Sequence, residues 1–306
     1  GLCAVRSSKA ARLSRLKPGF YRPPSAPIFV PGQHWLGVVV AGLTSLPMLA
    51  AWQWWSTRGV EATSLREVER AMLFELLRAW GERLLHVFDR GYAGEPWLHH
   101  LATYGARFLL RWPKNLLLTD AHGHSRKVWQ ICKAKRSLDH RLIRDVRRGC
   151  ERKTGLYYTD VRHPAYPGSL HVIVSRPGKG KTPWYLLTNE PIRTVDDAWR
   201  LVLAYNRRWT IETCWRFAKA DLACQSPRLH KHADRLKLLA LATLVFAFLL
   251  HLLAPTFDAL CRWLLRTFCH RTGKRCRLAT TPLYRLRAAL SHLWLAAAYP
   301  FSLNSG

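Results

Sequence analysis

Apolar residues fall in short blocks along this chain, and turn residues separate the blocks. Two runs, over 34–43 and 46–55, are rich in β-branched and aromatic side chains. They predict neighbouring buried strands. Thr63-Ser64 supplies an N-cap, and apolar positions at helical spacing follow to about Trp80. Gly81 is placed to end that helix. Leu84-Leu85-His86-Val87-Phe88 predicts a short buried strand that finishes on Asp89. A carboxylate so placed sits at the carboxyl edge of a sheet, where open α/β sheets collect ligand and catalytic groups. Gly91 and Gly94 turn the chain into a short helix over 94–104, and 107–118 reads as another strand.

Residues 119–193 are polar, basic and turn-rich, with strand-like pieces near 127–133, 155–160, 169–176 and 183–188. They predict a mostly β insertion. Within it, Gly178-Lys179-Gly180-Lys181-Thr182 resembles a phosphate loop, but Ser175 stands where such a loop needs Gly, and a strand follows instead of a helix. A basic hairpin tip fits better. From Asp196 one long helix is predicted to about Leu222. Residues 238–254 are almost wholly apolar and stop before Pro255. Seventeen residues lie at the lower edge for a membrane span, so the segment reads as a buried core helix. The division expected is 1–118, 119–193, 194–254 and a basic helical tail over 255–306.

Charge changes the picture most. The chain of 306 residues carries 48 Lys plus Arg against 19 Asp plus Glu, a net +29. A surface that basic attracts a polyanion, and nucleic acid is the first candidate. The eight Cys have no CxxC pair. Cys261, Cys269, His270 and Cys276 do not have the spacing of a zinc finger.

The predicted helix over 196–222 places Tyr205, Arg208, Glu212 and Lys219 at separations of 3, 4 and 7. At 100° per residue they share an arc of roughly 60°. One carboxylate among several cations, with Trp209, Trp215 and Phe217 beside it, differs from a solvated face of ordinary ion pairs. A strand-end Asp and a helix Glu are the hard oxygen donors that divalent cations prefer.

Tyr205-x2-Arg208-x3-Glu212-x6-Lys219 resembles the YREK signature of DDE transposases of the insertion sequence 4 family. Asp89-Arg90-Gly91-Tyr92, after its apolar strand, is similar to that family's second-acid motif. The β-rich insertion also lies where the family carries one. The resemblance implies an α/β fold with an RNase H-like core, a mixed sheet flanked by helices, together with the β-rich insertion and a helical C-terminal region. It implies Mg²⁺-dependent DNA strand cleavage and strand transfer, with two Mg²⁺ ions (or Mn²⁺) held by Asp89, Glu212 and a further Asp. Tyr205, Arg208, Lys219, Arg90 and Trp184 are the DNA-binding residues it implies, Trp184 as the stacking aromatic of the insertion. The expected partners are double-stranded DNA and a second copy in a synaptic complex, with no small-molecule substrate and no membrane. The expected location is the bacterial cytoplasm, at the nucleoid.

One departure accompanies the resemblance. The family's first catalytic Asp belongs on a strand before 34–55, yet residues 1–88 contain no Asp. The chain is therefore expected to lack its first core strand and to be inactive alone. The alternatives are a non-catalytic DNA-binding remnant and, further off, a basic membrane-associated protein.

Overall fold

A computed structural model describes residues 2–4, 14–16, 30–42, 48–60, 62–144, 150–178, 182–216, 222, 232–253, 255–269 and 283–298. The chain forms two compact units, residues 66–209 and residues 1–65 with 210–306.

The unit of residues 66–209 is built on one mixed sheet. Its strands are β5 (His86–Phe88), β6 (Phe108–Arg111), β7 (Leu117–Thr119), β8 (Ser125–Lys127), β9 (Asp139–Arg144), β10 (Glu151–His163), β11 (Tyr166–Arg176) and β12 (Trp184–Thr188). The order is β5-β6-β12-β11-β10-β7-β8, with β9 also on β10. Only β5 and β6 are parallel, with Phe88 beside Leu110; the other pairings are antiparallel.

Alternation along the strands buries both faces. Phe108 and Leu110, Val172 and Val174, and Leu187 enter one core with Leu73 of α1 (Leu65–Trp80) and Trp97, Leu98 and Leu101 of α2 (Glu95–Thr103). Leu109, Ile173 and Leu186 point the other way, onto Ala198, Trp199 and Val202 of α4 (Val195–Asn206). A strand buried on both faces needs a helix on each side, which gives three layers. Gly81 stops α1 at φ +53, as its place in the sequence predicts. Thr194 caps α4 in a reciprocal box. Its Oγ1 accepts from Asp197 N at 3.2 Å, and Asp197 Oδ2 accepts from Thr194 N at 3.0 Å.

The other unit holds β1 (Leu2–Ala4), β2 (Ser14–Leu16), β3 (Val30–Val40) and β4 (Met48–Trp55), in which β3 pairs with the other three. β3 and β4 are the neighbouring strands expected from 34–55, and they pair antiparallel from His34↔Trp55 to Val40↔Met48. Trp35 stacks on Trp54 at 5.1 Å, and Trp215 of α5 (Thr210–Arg216) lies 5.0 Å from Trp35. Gly37 is required there, because a Cβ would fall 2.5 Å from Trp215 Cη2. α6 (His232–Leu252), α7 (Asp258–Phe268) and α8 (Leu283–Ala298) complete this unit. Ala233–Leu252 is long and apolar enough to cross a membrane. Here Phe246, Leu249 and Leu252 of that helix pack with Leu264 and Leu286.

Three sequence expectations need correction. The helix expected over 196–222 is broken. α4 ends at Asn206, Arg207–Trp209 is a 3-10 turn, and α5 starts at Thr210. Asn206 sends its side-chain amide to Arg144 O at 2.7 Å, and the chain tightens there. The phase of 100° per residue across Tyr205 to Glu212 is therefore lost. The strand expected over 107–118 is two strands, since Pro113 lies between them. The piece near 127–133 is mostly the short helix α3 (Val128–Ile131).

Candidate functional site at the carboxyl edge of the mixed sheet

Asp89 follows β5 directly. Its Oδ1 accepts from Gly91 N at 2.8 Å, and this turns residues Arg90–Tyr92 into one 3-10 turn. The small carboxylate thus caps its own turn, as Asp does where a strand gives way to a loop. Gly91 leaves room for this bond, since a Cβ there would sit 3.0 Å from Asp89 Oδ1 and the carboxylate would have to give by a few tenths of an ångström. Asp89 and Arg90 are both exposed.

A brace from α1 holds the turn. Arg66 Nη2 donates to Gly91 O at 3.2 Å, and Arg66 Nη1 pairs with Glu69 Oε2 at 3.0 Å. The Arg66 guanidinium lies over the Tyr92 and Trp97 rings, at 5.3 and 5.7 Å. Tyr92 packs 5.1 Å from Phe88 and 5.1 Å from Trp97, and its hydroxyl lies near the carboxylate of the buried Glu69. Burial first, then the Glu69 carboxylate, holds that hydroxyl protonated well above the usual tyrosine range. Arg66, Glu69 and Trp97 were not singled out from the sequence. The i,i+3 spacing of Arg66 and Glu69 was visible, but it suggests only a surface pair.

Parallel pairing brings a second strand end beside Asp89, because β5 and β6 run out together and β6 ends on Arg111. β12 runs the opposite way, with Leu186 beside Arg111, so Trp184 emerges two residues further toward this same edge. The Arg111 guanidinium lies 5.8 Å from the Trp184 ring. Trp184 meets Tyr205 edge-on at 5.2 Å. The Arg208 guanidinium lies 6.0 Å from the Tyr205 ring. A row Arg111–Trp184–Tyr205–Arg208 therefore shares the sheet edge on which Asp89 stands. Tyr205 is buried, at 4 % exposure, while Trp184 and Arg208 are half-buried. Arg111 joins this row although the sequence reading passed over it; only pairing register reveals its place.

Glu212 is an exposed residue of α5, in the other compact unit. Lys219 lies outside the described residues, as do Lys179, Lys181, His270 and Cys276. Among the described residues no three His, Cys, Asp or Glu side chains gather into a metal-binding group. Asp89 fits a hard divalent cation by its oxygen chemistry and its exposure. It is one ligand and does not make a complete set.

The arrangement suits an anionic, ring-bearing polymer. Planar guanidiniums receive phosphate oxygens, and aromatic faces receive bases. A family model described as the transposase DDE domain matches residues 63–248, more than half of the chain. The mixed sheet flanked by helices is consistent with the RNase H-like fold of such transposases. No curated protein matches the chain.

Proposed function

The chain belongs to the transposase DDE domain family, and on that premise we propose that it is a DNA transposase of the insertion sequence 4 kind whose strand-processing edge carries Asp89. The family's work is transposition, its partner is DNA, and it generally uses divalent metals. The observation that carries the reading is the placement of Asp89 beside Arg111, Trp184, Tyr205 and Arg208 on one sheet edge.

In this reading Asp89 is a ligand for Mg²⁺, or for Mn²⁺ in its place, and Glu212 is the other carboxylate that the resemblance implies. Bound there, the ions would stabilise attacking and leaving oxygens during phosphoryl transfer. The residues of the chain do the rest. The Arg66 brace keeps the Asp89 carboxylate in one orientation. Arg208 and Arg111 offset the charge that develops on the phosphate under attack, and the fixed guanidiniums need little reorganisation as it develops. Arg90 and Lys219 hold flanking backbone. Trp184 takes a base against its ring, and Tyr205 fixes Trp184 from behind. Water attacks phosphorus first and releases a 3′ hydroxyl, and that hydroxyl then attacks a target phosphate in strand transfer. Two copies would hold two element ends.

Residues 1–88 contain no Asp, so the 306 residues supply two of the three carboxylates the resemblance calls for. Weak metal binding and little cleavage are expected from them alone. The test combines Mn²⁺ titration by electron paramagnetic resonance with nicking of supercoiled plasmid in Mg²⁺, for the chain and for Asp89→Asn. Loss of residual Mn²⁺ binding in Asp89→Asn is the expected result. Unchanged Mn²⁺ binding would remove Asp89 from the site. Robust nicking by the chain alone would remove the claim of an incomplete carboxylate set.

A further inference from the structure

Residues 121–138 carry Arg126, Lys127, Lys133, Lys135 and Arg136 and no acid, and all five cations are exposed. Acids stand at both ends of this segment: Asp139 Oδ2 pairs with Arg141 at 3.1 Å and accepts from Trp199 Nε1 at 2.8 Å, and Asp120 is occupied with the hairpin between β7 and β8. Its Oδ1 accepts from His122 N at 2.9 Å and His124 N at 3.0 Å, and Arg126 is its one partner among those five cations, at 3.5 Å. Lys133, Lys135 and Arg136 have no acidic partner among the described residues.

These three crowd onto one turn, and the turn is rigid. Ala134, between them, adopts φ +57, a left-handed conformation that costs any residue with a Cβ. Arg176 at the end of β11 clamps it. Its Nη1 donates to Lys135 O at 2.7 Å and its Nη2 to Cys132 O at 3.1 Å, while its guanidinium lies 5.9 Å from the Tyr157 ring. Just beyond, Leu138 N donates to Leu156 O at 2.7 Å. Ser137 then sits so close to β10 that a Cβ on Gly155 would fall 2.4 Å from its Oγ. Strain and like-charge repulsion are thus both held in place by these bonds. Lys133 lies 6.0 Å from the Trp129 ring, none of the three cations makes an ion pair among the described residues, and a polyanion would relieve their repulsion.

The turn also has an address. Arg176 adjoins Ser175, which pairs with Trp184. The clamped turn therefore borders the end of β12 on which Trp184 emerges.

We propose that residues 133–136 form a docking surface for the backbone of duplex DNA, extending the path from the Trp184 edge onto this turn, with Lys133, Lys135 and Arg136 each meeting a phosphate. The proposal rests on the reading of the chain as a DNA-processing protein.

The test measures binding of the full chain to a fluorescent 30-base-pair duplex by anisotropy, as a function of salt. The triple variant Lys133→Gln, Lys135→Gln, Arg136→Gln should reduce the slope of log affinity against log salt by about 2 to 3, since each phosphate contact contributes about 0.9. Near 0.1 M salt that is a loss of roughly 10²-fold in affinity. A control with the same loss of charge, Arg78→Gln, Arg83→Gln, Arg200→Gln, should change the slope by less than one unit. The charge-preserving variant Lys133→Arg, Lys135→Arg should bind as the parent does. An unchanged slope in the first variant, with the parent binding DNA, would overturn this proposal and leave the transposase reading standing. An equal fall in the control would overturn it too, by showing that net charge alone matters. Failure of the parent to bind duplex at all, or preference for anionic vesicles over duplex, would sink both.

Discussion

Glu69→Ala tests whether the turn that carries Asp89 is held from α1. The Glu69 side chain is 6 % exposed, and that of its partner Arg66 is 51 % exposed. The substitution removes the carboxylate beside the Tyr92 hydroxyl, whose ring is packed between Phe88 and Trp97. A buried donor left without a partner costs about 1–3 kcal/mol. The ion pair adds little, because Arg66 can turn into water; about 0.2–1 kcal/mol is the scale for such a pair. The total expected loss is about 2–3 kcal/mol. Tyr92→Phe removes the donor and leaves Glu69 paired with Arg66, so about 1 kcal/mol is expected. The double variant should cost less than the sum, with a coupling of about 1 kcal/mol, since the two groups interact directly. Urea unfolding of the full chain gives the three stabilities. Amide exchange at Gly91, Tyr92 and Ala93 shows whether the loss is local to the turn, as Arg66 bonding to Gly91 O requires. A Glu69→Ala cost under about 0.5 kcal/mol, or zero coupling in the cycle, would refute the brace.

Two further predictions concern other parts of the framework. Gly37→Ala should destabilise by about 1–3 kcal/mol in urea unfolding, because the new methyl meets the Trp215 ring at 2.5 Å and must displace the helix that carries Glu212 or strain the ring. A neutral result would mean that α5 sits loosely on β3. His86, buried in the strand before Asp89, has its pKa lowered by burial, and its Nε2 is buried with no hydrogen-bond partner among the described residues. Below about pH 6.5 the unfolded chain binds the proton more readily than the folded one, so stability should fall as pH drops through that region. Thermal unfolding between about pH 7.5 and pH 5 should show a shallower loss in His86→Phe. It should not abolish the loss, because burial lowers His34 and His163 in the same sense. An identical pH dependence in the variant would refute the assignment to His86.

The sequence by itself determined the elements whose causes are local. Gly81 ends α1 because only a residue without Cβ takes its backbone angle cheaply. Apolar runs of strand length gave the β3–β4 pair and the short strand before Asp89, and the motifs around Asp89 and Tyr205 were enough to suggest a DDE transposase, the domain that residues 63–248 match. Tertiary structure decided what depends on partners distant in sequence. Asn206 reaches Arg144 across the fold, and a helix that periodicity continues to Leu222 instead stops at Asn206. Strand register alone sets Arg111 beside Asp89 and Trp184 beyond it, for register is a property of two strands and neither encodes it alone. The brace under Asp89 and the clamp under the cationic turn are of the same kind. Arg66 and Arg176 look like two more surface cations in a chain of net charge +29. Folding sets each of them onto backbone carbonyls, Arg66 on Gly91 O and Arg176 on Lys135 O and Cys132 O.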